Sequence, residues 1–365
     1  MGQGQYKVWC LLGRKAGDNT QVRALAEELG YGYQEKHILA RPWELLTHLT
    51  LQVTLAGIDQ HSRQQLSAPW PDLVISAGRR NEPVARWIRR QSGGLTALVH
   101  IGRPWAALNN YDLIVSTPQY FLPERDNIHP VGLPLSRWLP ASLESAAAAL
   151  RVSIEHMPRP WIAVLVGGNS GKFVFTRRKG ERLGQAAVAL AAGQGGSLLV
   201  TDSPRTPRAA GDALQAQLRA TDYCYRWGES GTNPYLALLA LADAFVVTGE
   251  SMSMLGEAVA MGKPLHIFDM GDAGKPWWDR LHNCRYKPLS HHLAMCLAPR
   301  RMRRDVGRIQ QALVSSGRAI WLEDGCGNYS PVRLSGIDPD EVNSVSQQQE
   351  LQATAQRVRQ LLAPG

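Results

Sequence analysis

Charged residues are scarce in this chain, 19% of 365, while hydrophobic residues reach 44%. That balance excludes a disordered polyelectrolyte and leaves enough apolar material for two ordinary domains. Other absences narrow the class. No apolar stretch reaches the roughly 18 residues needed to span a bilayer, and the most apolar one, Leu236 to Val247, is interrupted by Asp243. The opening residues, MGQGQYKVWC, hold no basic n-region of a secretory signal, and Tyr6 stands where a myristoylation pattern wants Ser or Thr. The five cysteines, Cys10, Cys224, Cys284, Cys296 and Cys326, form no CxxC pair. Their spacing argues against structural zinc and for reduced thiols in a cytoplasmic protein. No RNP, zinc-finger or helix-turn-helix signature is present, so nucleic acid is not an expected partner.

What the chain does have is positive charge. The net charge is +9, and the densest run is Arg300, Arg301, Arg303, Arg304 and Arg308. A solvated helix face explains that run as well as a binding patch does. The excess itself favours anionic partners, such as a phosphorylated sugar donor or an anionic membrane surface. With eleven tryptophans and no spanning segment, peripheral attachment to the cytosolic face of the inner membrane is the expectation.

Short apolar runs alternate with helical patterns along the chain, which is the signature of parallel βαβ units. In the first half, strands are expected at Tyr6–Leu12, Tyr33–Ile38, Leu73–Ser76, Ala97–Ile101 and Leu113–Ser116, with a helix over Asn19–Leu29 closed by Gly30. HPVGLPLSRWLP (129–140), with its three prolines, reads as a linker. The pattern restarts with strands within 158–168 and at 197–201, 223–227, 244–249 and 264–268, and helices over 180–193 and 251–262. Asn233 and Pro234 read as N-cap and N1 of a further helix, and Val345–Leu362 as a last one. The expected fold class is therefore α/β, with two facing Rossmann-like domains and an interdomain cleft. The domains are placed at 1–140 and 158–330, with a C-terminal helix at 345–362.

Three strand-to-helix loops carry the candidate chemistry, because such loops put helix N-termini at the carboxyl ends of strands. LLGRKAGDNTQ (11–21) offers Lys15, Asn19, Thr20 and Gln21 as cleft or acceptor-side groups. Its Asp18 is either a general base or, like Asn19, a helix cap. VGGNSGKFVF (166–175) partly matches the phosphate loop of NTPases, but Val166 replaces the first glycine and Phe173 the magnesium-binding hydroxyl. It reads as an anion loop in which the N–H groups of Gly167, Gly168 and Asn169 cradle phosphate and Ser170 and Lys172 assist; a plain tight turn is the alternative. In VVTGESMSMLGEA (246–258), Gly249, Ser251 and Ser253 open a helix, and Glu257 follows on it. Glu257 is either an exposed helix-surface residue or a cleft carboxylate that accepts both ribose hydroxyls. Glu82, in the RRNEP segment, is a second candidate base. Asp338-Pro339-Asp340 is explained by helix capping better than by a metal, and His291-His292 lacks the i, i+4 spacing of a helical metal pair. No cofactor or metal is expected.

TGESMSMLGEAVAMGKP (248–264) resembles the donor-binding segment of glycosyltransferases of the B fold, such as the enzyme that makes the second lipid intermediate of peptidoglycan. The resemblance implies that Ser251 and Ser253 meet the diphosphate and Glu257 holds the ribose. Where that fold often carries a Gly-Gly-x-Gly-His run in its first loop, Asp18 stands near the histidine's place. Taken together, GDNTQVRALAEELG, DLVISAGRR, VGGNSGKF and TGESMSMLGEA resemble a Gram-negative bacterial family regarded as glycosyltransferases, whose plant relatives are known for mitochondrial fission. The likeness spans about residues 5–330. It implies a metal-independent transfer from a nucleotide-sugar donor in the second domain to a lipid-linked or lipopolysaccharide-type glycan in the first. The alternatives are a non-catalytic scaffold and a nucleotide-sugar epimerase.

Overall fold

The structure, a computed structural model, describes residues 6–137, 140–171, 173–271, 297, 303–323 and 339–363. They divide into two compact units, one centred on residues 6–137 and 347–363, the other on 140–271 and 305–323.

The first unit runs β1 (Val8–Leu12), α1 (Ala16–Leu29), β2 (Tyr33–His37), α2 (Glu44–Leu51), α3 (Gln60–Gln64), β3 (Leu73–Ala77), α4 (Glu82–Gln91), β4 (Ala97–Ile101), β5 (Leu113–Ser116) and β6 (Ile128–Pro130). Its sheet is parallel throughout, in the order β2-β1-β3-β4-β5-β6. β1 is buried on both faces, as a central strand of a parallel sheet must be. Side chains alternate across a strand. Val8, Cys10 and Leu12 therefore join a core with Val22, Leu25 and Leu29 of α1, while Trp9 and Leu11 pack with Val84, Ala85 and Ile88 of α4 on the opposite face. Gly30 ends α1 in the left-handed conformation (φ 73°) that glycine adopts without a Cβ penalty.

The second unit runs α5 (Pro140–Ile154), β7 (Trp161–Leu165), α6 (Arg177–Gly193), β8 (Ser197–Thr201), α7 (Arg208–Gln215), β9 (Tyr223–Tyr225), α8 (Tyr235–Leu241), β10 (Ala244–Thr248), α9 (Met252–Ala260), β11 (Leu265–Phe268), α10 (Gly307–Ser315) and β12 (Ile320–Trp321). Its sheet is also parallel, in the order β12-β11-β10-β7-β8-β9. Counted from its own first strand this is 6-5-4-1-2-3, the dinucleotide-fold order read from the other edge. The expected α/β class with two wound parallel sheets is what the chain forms.

The last helix, α11 (Pro339–Leu362), begins at the proline read as an N1 residue and starts earlier than the Val345 expected. Leu351, Ala355 and Val358 lie in the first unit's core, and the Glu350 carboxylate accepts the Gly132 N–H at 2.8 Å. α8 starts one residue later than expected. Pro234 takes the N-cap position, and the Asn233 side chain accepts the Tyr235 N–H at 3.0 Å. No helix among the described residues is long and apolar enough to cross a membrane. Asp338 and the His291-His292 pair lie outside the described residues, as do Arg300 and Arg301 of the basic run. Within that run, Arg304 is tied to the first unit, donating from Nε to Gln119 at 2.9 Å.

Packing in the second unit is close where α6 meets α7. A Cβ on Gly180 would collide with the Ala210 carbonyl, and one on Gly184 would lie 2.7 Å from the Gln217 side chain. Gly180→Ala should therefore destabilise the fold by about 1–3 kcal/mol despite alanine's better helix propensity. Urea unfolding checks this, and a midpoint equal to wild type would show slack between the helices.

Candidate functional site

In wound sheets, ligands sit at the carboxyl edge where neighbouring strands send their chains in opposite directions. The second unit has that point between β7 and β10, which pair directly. The loop after β7 (166–171) and the turn after β10 (249–251) meet there. Gly167 N–H donates to Thr248 Oγ1 at 2.8 Å, and Gly168 N–H to Glu250 Oε1 at 2.6 Å. A Cβ on Gly167 would collide with Glu250, and Gly168 holds φ 136°, so both positions require glycine. The loop after β8 completes the cluster. Thr206 Oγ1 donates to the Gly167 carbonyl at 2.7 Å, and the Ser203 hydroxyl bonds the same oxygen.

This arrangement corrects the phosphate-cradle reading. The N–H groups of Gly167, Gly168, Asn169 and Ser170 are all donated internally, the last two to Arg205 O and Phe173 O at 3.0 and 3.1 Å. The loop is clamped to its neighbours because its two glycines pack against the β10 turn. Asn169 also fixes the loop's exit, accepting the Phe175 N–H at 2.9 Å. Lys172 lies outside the described residues.

The donors that remain belong to α9, since the first turn of a helix has no intrahelical acceptors for its N–H groups. Ser251 occupies the N-cap position but makes no side-chain cap bond; its Oγ accepts from Arg205 Nη2 at 3.1 Å. Ser253 follows in that first turn, half-buried. Gly249 has a packing role. Its N–H goes to Phe268 O at 3.0 Å, its carbonyl accepts from Gln310, and a Cβ would meet Gln310 and Phe268. Glu250 is 1% exposed, stands 3.7 Å from Arg205 Nη2, and its Oε2 has no hydrogen-bond partner. Burial raises its carboxyl above the ordinary range, against the pull of Arg205 and the Gly168 N–H.

Glu257 is neither a surface residue nor an open cleft carboxylate. It is 6% exposed and accepts a hydrogen bond from the Tyr235 hydroxyl of α8. Burial pushes its carboxyl up to about 7, and the Tyr235 hydroxyl opposes the shift.

In the first unit the corresponding reversal falls between β1 and β3, which also pair directly. α1 begins at Ala16, so neither Asp18 nor Asn19 caps it; Lys15 holds the N-cap position without a side-chain cap bond. Asn19 instead ties down the loop, accepting the Gly13 N–H at 2.9 Å and donating to the Gly13 carbonyl at 2.8 Å. Thr20 and Gln21 bond back to the Ala16 and Gly17 carbonyls at 3.1 and 3.2 Å. Asp18 lies in the first turn of α1, 3.6 Å from Lys15 Nζ, and a Cβ on Gly78 would come within 2.7 Å of its Oδ2. It therefore faces the end of β3 at the switch point. Asn81 holds that corner, donating to Leu11 O and Ala77 O at 2.9 and 3.1 Å.

Glu82 is corrected from candidate base to structural carboxylate. It is fully buried. Its oxygens accept the Trp105 and Ala106 N–H groups at 2.9–3.0 Å and the Tyr111 hydroxyl at 3.1 Å. Three donors engage it, and at 0% exposed it presents no oxygen to a substrate hydroxyl.

Sequence reasoning missed Glu250, Arg205, Tyr235 and Asn81. Glu250 was visible inside the TGES run but carried no role there, and nothing local marks Arg205, Tyr235 or Asn81, because their partners are distant in sequence.

Two wound parallel sheets, each gathering polar loops at its own switch point, define a Rossmann-like α/β protein of two units. The family described as mitochondrial fission ELM1 matches residues 16–286, and the chain belongs to it. The mitochondrial fission protein ELM1 of Arabidopsis thaliana is 26% identical over 246 residues, 60% of this chain and 56% of its own length, so the chain spans little more than half of that relative. An uncharacterized protein of Rickettsia prowazekii is 24% identical over 299 residues, 72% of this chain and 82% of its own. Among solved structures, a glycosyltransferase from Rickettsia africae covers 98% of each chain with 10% identity and a TM-score of 0.45. At that score the fold is read from the strand orders and not from this neighbour.

The raised carboxyl of Glu257 links stability to pH. The ordinary value is 4.5 and the folded value about 7, so between them the folded state binds more protons than the unfolded one. The stabilisation by the protonated acid is full below about 4.5 and is lost as pH rises through about 7. Glu257→Gln keeps an acceptor for Tyr235 without a charge. It should gain stability relative to wild type across that window, by on the order of 3 kcal/mol at most. Denaturant unfolding of both proteins at pH 4.5, 6 and 8 reads this, and a stability difference constant with pH would mean that Glu257 titrates normally.

Proposed function

We propose that the protein is a metal-independent glycosyltransferase that moves a sugar from a nucleotide-sugar donor to a lipid-linked or lipopolysaccharide-type acceptor. The observation that carries this reading is the convergence, at one switch point of the second unit, of the α9 N-terminus, Ser251 and the buried Glu257–Tyr235 pair. A helix start favours a diphosphate, and a carboxylate one turn further on suits ribose hydroxyls. The second unit then takes the donor. Ser251 and Ser253 face the diphosphate, and Glu257 exchanges its Tyr235 partner for the ribose. Stabilising the departing diphosphate at the helix start is the main catalytic term. The first unit takes the acceptor, with Asp18 removing the hydroxyl proton and Lys15 beside it; Asp18 is partly open to solvent, unlike Glu82. The excess of basic residues suits peripheral contact with the anionic membrane surface where a lipid-linked acceptor resides.

A binding screen across nucleotide sugars, followed by product analysis with glycan acceptors, tests the proposal. A bound donor whose sugar is never transferred would move the assignment to a scaffold, and an inverted sugar stereocentre would move it to an epimerase.

Two substitutions test the residues. Asp18→Asn should lower turnover by roughly 10²–10⁴ while unfolding stays near wild type, because Asp18 caps nothing. Near-normal turnover would remove Asp18 as the base. Glu257→Gln should weaken a ribonucleotide by about tenfold or more. It should cost a 2′-deoxyribonucleotide less, since that ligand already lacks one hydroxyl. Calorimetric titration with both ligands reads the coupling, and equal losses would take Glu257 off the 2′ position.

A further inference from the structure

Arg205 sits at the start of α9, an end that by itself disfavours a cation. Its guanidinium donates to Ser251 Oγ at the start of α9, the end of that helix carrying positive partial charge. Its side chain is 40% exposed, so the group could point to solvent instead. Two neighbours hold it there, Ser251 Oγ and the buried Glu250 carboxylate 3.7 Å away. Glu250 is itself incomplete, with Oε1 on the Gly168 N–H and Oε2 without a hydrogen-bond partner in a residue 1% exposed. A guanidinium, a helix start and a hydroxyl thus meet beside one under-bonded carboxylate. Guanidinium groups match phosphate oxygens in planar, two-pronged geometry, and a helix start adds N–H donors to the same anion.

We propose that Arg205 is a diphosphate ligand, held on Ser251 and Glu250 and transferred to the phosphate oxygens when the anion arrives. Glu250 acts as the positioning residue that keeps the guanidinium at the helix start. The backbone of the β7 loop is already committed to internal bonds, so the positive charge that a diphosphate needs comes from the β8 loop, in the segment SPRTP (203–207). The inference rests on the donor-site reading above for the nucleotide, but not for the anion.

Isothermal titration with inorganic pyrophosphate, a panel of nucleoside diphosphates and the matching nucleosides separates the two readings. Wild type should bind pyrophosphate and at least one nucleoside diphosphate. Arg205→Gln should weaken both by about tenfold or more and leave nucleoside affinity unchanged. Arg205→Lys should recover part of the loss, because an ammonium supplies charge without the fork. Glu250→Gln should weaken the same ligands less than Arg205→Gln does, since it releases the guanidinium without removing it. Thermal unfolding of each variant confirms that the fold is intact. Undiminished diphosphate affinity in Arg205→Gln overturns the proposal and leaves the donor-site reading standing. Arg205-dependent binding of pyrophosphate, with no nucleoside diphosphate bound, keeps the anion site and overturns the nucleotide reading. Wild-type protein that binds neither overturns both.

Discussion

The hydrogen bond from Gly168 N–H to the Glu250 carboxylate joins two loops that leave neighbouring strands and turn apart. With Gly167 N–H on Thr248, it closes the gap that a wound sheet opens at its switch point. Much of the second unit's local order follows. The glycines must lack side chains, Gly167 for its approach to Glu250 and Gly168 for its approach to the Arg205 backbone. The Gly167 carbonyl is left free to take the hydroxyls of Ser203 and Thr206, which draws in the β8 loop and sets Arg205 over the start of α9. The first unit solves the same geometric problem with neutral amides. Asn19 closes its own loop on Gly13, and Asn81 fastens the β3 corner to the end of β1.

Three glutamates are buried among the described residues, and their partners sort them. Glu82 accepts two backbone N–H groups and a phenol, the fullest donor set of the three. Glu257 accepts from a single phenol, and Glu250 leaves one oxygen without a partner. A buried acid that is fully bonded is most simply structural, since satisfied polar groups specify packing. One that is under-bonded at the carboxyl edge of a wound sheet retains capacity for a ligand. By that measure the second unit's buried acids with acceptor capacity left lie on and just before α9.

The final helix shows how membership of a unit departs from order along the chain. Its apolar positions Leu351, Ala355 and Val358 repeat at helical spacing and complete the core formed by β1, β3 and α1. Arg359 donates to the Glu28 carbonyl, and Tyr6 to the carbonyl of Leu362. The first unit's core is thus finished by residues that follow the second unit's segments in sequence.

The sequence alone determined the α/β class, the two wound halves and nearly every central strand, because an apolar run of four or five residues between helical patterns suits little besides a buried parallel strand. It also located the three loops, since glycine and small polar residues at strand ends are local signals. Which atoms in those loops are open was decided by tertiary structure. The glycine loop looked like an anion cradle until Thr248, Glu250, Arg205 and Phe173 took its N–H groups. Glu257 looked exposed until Tyr235, 22 residues away, covered it, and Glu82 looked reactive until a loop more than 20 residues on bonded and buried it. Burial and hydrogen-bond satisfaction depend on partners distant in the chain, and local pattern carries no record of them.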